Sequence, residues 1–238
     1  MKSKEHLAMD YIFFRNPSYY IITLFPVVGG IIALFFVTDP LQKSTGSNLS
    51  ASQALEHAML DNYLQATAIT LSFVISYFVI FKWVLMKTDG TYGFWLTQGI
   101  SRTKYYFYTI IKLVGVVLVG YLIGFLFITQ LAGIAMSTSE EILFVLLMIS
   151  NILSIFSLAI VLSELITDPE LAAIIFLTIS GFNLFFNTNY NSIFHKILLS
   201  DRHYDSNAGW GVLVLSLIYS GLMFFAGFRV HIKRSIDL

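Results

Sequence analysis

The 238-residue sequence contains no cysteine, which excludes disulfides, thiolate nucleophiles and cysteine-ligated metal sites. Charge is scarce as well. Asp, Glu, Lys and Arg make up 12% of the chain and the formal net charge is zero. No block of like charges occurs, so there is no basic face for a nucleic acid and no draw for an acidic partner. A Gly-x-x-x-x-Gly-Lys-Ser/Thr phosphate loop is also missing, and with it the usual means of cradling ATP. The histidines, His6, His57, His195, His203 and His231, stand singly without the i, i+4 spacing of a zinc helix. All five are expected at the surface.

What remains is apolar. Hydrophobic residues make up 57% of the chain, aromatics 16%, and the mean hydropathy is +0.77, the composition of an integral membrane protein. Apolar runs cover 18–38, 63–86, 107–132, 142–163, 171–186 and 209–228. Most are long enough to cross a ~30 Å hydrocarbon core as helices. The first follows a polar and mixed segment and lacks a small-residue cleavage pattern, so it reads as a span rather than a signal peptide. The expected fold is therefore all-α, a single domain over 1–238 with six transmembrane helices. Segment 1–17, with Leu7, Tyr11 and Phe14 on one side and Asn16-Pro17 at its end, is expected as an amphipathic interfacial helix.

Six spans put both termini on one side. Eleven Lys and Arg fall on that side and three, Lys43, Lys196 and Arg202, on the other, which places the termini in the cytoplasm.

The centres of all six runs lack Asp, Glu, Lys, Arg and His. Ion-coupled carriers and intramembrane hydrolases place ionisable groups there, so both classes are disfavoured. Glu140-Glu141 fits the favourable N-terminal end of the fourth helix. Gly120-x-x-x-Gly124 in the third span and Ser216, Ser220 and Gly227 in the sixth suit close helix packing, within the subunit or between subunits. Ser150, Ser154 and Ser157 share one face of the fourth span, and Ser180, Asn183 and Asn187 one face of the fifth. Both sets suit interhelical hydrogen bonds or a substrate-facing role.

Between the second and third runs lies the polar interruption 87–104. Tyr92, Leu96 and Gly99-Ile100 fall on one face at helical spacing, with Trp95 beside them and Thr97, Gln98, Ser101 and Arg102 marking the other side. The spacing predicts a short amphipathic helix at the membrane surface.

An acidic residue followed by Gly-Thr, then an apolar turn, a Ser-Arg pair and a Lys entering the next span resembles the type-2 ABC transporter permease family. Those positions are Asp89, Gly90, Thr91, Ser101, Arg102 and Lys112. Gly99-Ile100 departs from the family's pattern, in which a Pro usually precedes the Ser-Arg pair. The resemblance implies that 87–104 is a coupling elbow docking onto a separate ATPase subunit through Asp89, Gly90, Thr91, Tyr92, Trp95, Leu96 and Arg102. In Glu164 to Glu170, Asp168 is expected as a helix N-cap with Pro169 and Glu170 in the first turn. This stretch looks like the family's short second cytoplasmic contact. Arg229 to Leu238 resembles its basic tail, though a plain positive-inside anchor has the same composition.

The resemblance implies an exporter permease in a prokaryotic cell membrane, paired with a second permease copy or a related one and with two ATPase subunits. ATP and Mg would bind in those partners, and no cofactor in this chain. By the same resemblance the outer segment 187–208, with its apolar Ile193-Phe194 and Ile197 to Leu199, would hold short re-entrant helices. The centres of the spans offer hydroxyls, amides and many aromatics but no charge, so an amphipathic or apolar cargo moving outward is expected. Its path would lie beside Phe73, Tyr77 and Phe78 of the second span and Phe182, Asn183 and Phe186 of the fifth, although rings that only face lipid would give the same pattern. A membrane-embedded enzyme and a channel or secondary transporter are the other classes considered.

Overall fold

The computed structural model describes residues 24, 28, 79–81, 83, 84, 87, 91–97, 99–132, 138–185 and 207–233. For Thr91, Trp95, Phe182 and Asn183 the description is of backbone alone. The expected helix at 1–17, the outer segment up to 206, and Phe73, Tyr77, Phe78, Asp89, Gly90, Gln98, Phe186 and Asn187 lie outside the described residues. So do His6, His57, His195 and His203, and most of the first two runs.

The described residues are helical, with short turns between elements. Five helices run in the order α1 Thr91–Thr97, α2 Arg102–Ala132, α3 Thr138–Leu165, α4 Pro169–Phe185 and α5 Asn207–Lys233. Helical backbone also occurs at Leu24 and Val28, and at 79–81, 83, 84 and 87 ahead of α1. Among the described residues three helices are long and apolar enough to cross a membrane: Arg102–Phe127, Glu141–Leu165 and Trp210–Lys233, of 26, 25 and 24 residues. At ~1.5 Å per residue they reach about 36–39 Å, against a hydrocarbon core of ~30 Å. α4 has 17 described residues.

The helices outrun the apolar stretches that predict them. α2 starts at Arg102 rather than 107, α3 includes Glu164, and α5 continues through Arg229 to Lys233 instead of ending at 228. Long basic side chains allow this, because their stems stay with the apolar surface while their charges reach water.

α3 is the central helix. Phe144, Leu147, Phe156, Ala159 and Ile160 are wholly enclosed. α2 packs antiparallel to it, with Phe125 stacked on Phe144 at 4.9 Å. α5 packs alongside α3 in the same direction, because Ser154 faces Ser220 near mid-length while Glu164 faces His231 at their C-terminal ends.

Between helices in lipid the hydrophobic effect contributes little, so close approach and interhelical hydrogen bonds hold the seam. Ser154 Oγ lies 3.0 Å from Ser220 Oγ and 3.4 Å from the Ser216 carbonyl. Ser220, Ser157 and Ser150 donate to carbonyls of their own helices. Gly227 sits where a Cβ would lie 2.9 Å from the Tyr106 hydroxyl and 3.4 Å from Ile160 and Val161. The serine and small-residue faces are thus joined within one chain. Gly120 and Gly124 are buried inside it too.

Candidate functional site: a buried carboxylate wired to the elbow

The elbow folds as expected on its apolar side. Tyr92, Ile100 and Tyr105 form a small buried cluster with Leu96 against it, while Phe94 and Thr97 are exposed. Gly99 has φ of +83° and its N–H donates to the Leu96 carbonyl at 3.1 Å. It is a left-handed helix end that a side chain would strain. Ser101 then caps α2, its hydroxyl accepting from the Lys104 N–H at 3.2 Å. Arg102 donates from Nη1 to the Ile232 carbonyl at 3.2 Å, placing a cation on the carbonyl end of α5.

At the second predicted contact, Asp168 Oδ1 accepts from the N–H groups of Glu170 and Leu171 at 2.8 and 3.2 Å. Asp168 is therefore the N-cap of α4, with Pro169 its first residue, and both acids of the pair, Asp168 and Glu170, are exposed. Glu141 is likewise exposed near the start of α3, as expected.

His231 overturns its expectation as a surface histidine: only 3% of it is exposed. Its Nδ1 lies 2.9 Å from Glu164 Oε1 and its Nε2 2.9 Å from the Tyr92 hydroxyl. Glu164, expected in a cytoplasmic loop, is instead in the last turn of α3 and 2% exposed. The same Oε1 accepts from Trp83 Nε1 at 2.7 Å, and Oε2 pairs with Lys87 Nζ at 2.7 Å. Lys87 also reaches the Ser163 carbonyl at 3.4 Å.

Five elements converge here. The helical residues ahead of α1 include Trp83 and Lys87, α1 gives Tyr92, α3 gives Glu164 and α5 gives His231. α2 supplies the walls: Tyr105 stands 4.9 Å from Tyr92, and Tyr106 stands 5.0 Å from His231 and 5.8 Å edge-on to Trp83. Tyr106 also donates its hydroxyl to the Phe224 carbonyl at 3.0 Å.

A carboxylate so enclosed is tolerated only when charged and neutral donors share its lone pairs, as they do here. With Nδ1–H directed at Glu164, Nε2 of a neutral His231 accepts a hydrogen bond from the Tyr92 hydroxyl, whereas a protonated ring donates one to the phenol oxygen. Burial pushes the Tyr92 hydroxyl up to about 12; the nearby Arg102 charge opposes the shift and the Glu164 charge adds to it. The phenol is therefore neutral across ordinary pH and serves as a hydrogen-bonding tether. Among the described residues no group of three or more His, Cys, Asp or Glu is placed to hold a metal ion.

Of the predicted coupling residues, the structure brings Tyr92, Leu96 and Arg102 together with the end of α5. Asp168 and Glu170 sit at the start of α4, just past the helix that carries Glu164. Of the predicted substrate path, Phe182 and Asn183 are in α4, and Ser180, of the polar face predicted for the same run, is buried.

Comparisons of the chain with protein-family models, with curated proteins and with solved structures found no match.

Proposed function

We propose that the chain is the permease subunit of an ATP-driven exporter, moved by a separate ATPase subunit that grips the elbow. One observation carries this reading: the elbow helix is tied through Tyr92, His231 and Glu164 to the ends of the helices behind it. A soluble partner pressing on an unattached surface loop would move only that loop, whereas one pressing on α1 would load α3, α5 and the residues Trp83 and Lys87 together. The elbow also departs least from its sequence expectation, with one face seated and Phe94 and Thr97 outward.

The orientation proposed is the one that positive charge favours. The described Lys and Arg residues, Lys87, Arg102, Lys104, Lys112, Arg229 and Lys233, all lie toward the Glu164 end of the bundle, which we take as cytoplasmic. The partners are two ATPase subunits holding ATP and Mg, and a second permease. The cargo is amphipathic or apolar and passes beside the second and fifth runs, in a prokaryotic cell membrane.

The convergence of Glu164, His231, Lys87 and Tyr92 also favours weighing a membrane-embedded enzyme as a second reading. Against it, both carboxylate oxygens and both ring nitrogens are already engaged within the protein. Against an ion-coupled carrier, the carboxylate sits at a helix end and not at mid-depth.

The test is purification of the chain from its own membranes in mild detergent, with identification of whatever accompanies it and assay of ATP hydrolysis. An ATPase subunit should co-purify and carry the hydrolysis. ATP turnover by the isolated chain, or a complex without an ATPase, overturns the proposal.

A further inference from the structure

The outward side of the seam between α2 and α5 combines two chemistries. Near the start of α2 and the end of α5 it is basic, and immediately deeper it is aromatic. The antiparallel register is fixed by two contacts: Arg102 donates to the Ile232 carbonyl, and Phe107 packs 5.2 Å from Phe228. Lys104 lies between Arg102 and Phe107 on one helix, and Arg229 and Lys233 flank Phe228 and Ile232 on the other. All three basic side chains are exposed. The Arg229 guanidinium stands over the Phe225 ring at 5.1 Å, which holds the cation against the apolar surface. Phe107 and Phe225 are themselves about half exposed, at 46% and 55%.

Acidic residues are placed elsewhere. Among the described ones, Glu140 and Glu141 are near the start of α3, at the opposite end of the bundle, Glu164 is enclosed against Lys87, and Asp168 and Glu170 begin α4. Among the described residues the seam therefore carries exposed positive charge near these helix ends, followed further along both helices by an aromatic strip.

We propose that this seam binds an anionic phospholipid of the adjoining leaflet. The headgroup phosphate lies among Lys104, Arg229 and Lys233, and an acyl chain lies along Phe107 and Phe225. The charge selects the headgroup and the strip selects a lipid over a free anion. Nothing in this inference depends on the transport reading. It holds or fails for any membrane protein with this seam.

The test is titration of the full chain, purified in a neutral detergent, with phosphatidylglycerol, using phosphatidylcholine and inorganic phosphate as comparators. Bound lipid is counted by native mass spectrometry, and the melting temperature is followed in parallel. Phosphatidylglycerol should bind saturably and raise the melting temperature, and phosphatidylcholine and phosphate should do neither. Lys104→Gln/Arg229→Gln should melt like wild type without lipid, because both side chains are exposed. It should bind phosphatidylglycerol weaker by a factor on the order of 30, the scale of removing two interfacial charges. The charge-matched control Lys2→Gln/Lys4→Gln should bind like wild type. Equal binding of the two lipids overturns the proposal, as does phosphate acting as well as phosphatidylglycerol. Equal loss in both double variants would mean diffuse charge and no site, and unchanged binding in Lys104→Gln/Arg229→Gln would exclude the seam.

Discussion

Tyr92 in the elbow helix and His231 in the last turn of α5 meet through a 2.9 Å hydrogen bond although 139 positions separate them in sequence. Because His231 is also bonded to Glu164 at 2.9 Å, the short helix is linked to the central one through a single ring.

The pair Lys87 and Glu164 is nearly sealed, with side-chain exposures of 11% and 0%. Removing one member leaves the other charge buried without its counterpart, which costs about 3–5 kcal/mol. Lys87→Met and Glu164→Gln should each lower stability strongly, and the double variant should lose clearly less than the sum. Reversible unfolding in detergent checks this as a double-mutant cycle. Simple additivity would show that the two charges are not coupled.

Tyr92→Phe keeps the ring in its cluster and removes only the bond to His231, a loss of about 1 kcal/mol. The variant also isolates a titration. The folded Tyr92 hydroxyl ionises near 12 because burial disfavours its charged form, whereas an unfolded tyrosine ionises near 10. A raised pKa means that this contribution to stability is full below about pH 10 and is lost as pH rises from there through about 12. Phenolate absorbance of wild type minus Tyr92→Phe should therefore show one group ionising near 12. A difference titrating near 10 would mean that the phenol is solvated.

Gly227 is required by close approach. A Cβ there would stand 2.9 Å from the Tyr106 hydroxyl, the group that donates to the Phe224 carbonyl. Gly227→Ala should destabilise by about 1–3 kcal/mol. Adding Tyr106→Phe should recover part of the loss by removing the clashing atom. Thermal melting of the two single variants and the double decides it, and no recovery would place the strain elsewhere.

Much of this arrangement is legible in sequence because each signal is local. Asp168-Pro169-Glu170 reads as a helix start and is one. Tyr92, Leu96 and Ile100 read as one seated face and pack together, and the serine face of the fourth run does meet the small-residue face of the sixth. The Glu164 centre was missed because its partners come from distant parts of the chain, and a lone glutamate or histidine beside an apolar run has many meanings. A signal was present in the stripes themselves. Continuing the serine face by one heptad from Ser157 reaches Glu164, and continuing the small-residue face by one turn from Gly227 reaches His231. Two stripes known to face one another predict that their extensions also meet. The early start of α2 and late end of α5 were hidden for another reason: hydropathy marks where lipid begins, and helices held by Ser101 and Arg102 continue beyond it.

The last prediction rests on the proposed transport function. If the Tyr92, His231 and Glu164 chain carries force from the elbow, loosening it should separate ATP hydrolysis from transport without abolishing either binding partner. His231→Gln retains a polar side chain in the ring's place but cannot bridge Tyr92 and Glu164 in the same geometry. Arg102→Gln removes the donor that fastens the start of α2 to the carbonyl end of α5. In the assembled complex, each variant should still co-purify with the ATPase and hydrolyse ATP. Transport per ATP should fall by about tenfold, within the range of a coupling free energy of about 1–3 kcal/mol. Exposed Phe94→Ala should impair ATPase docking instead, lowering hydrolysis and transport together, because that ring faces away from the bundle. Full coupling in His231→Gln and Arg102→Gln would remove the buried chain from the mechanism even if the ATPase partner is confirmed.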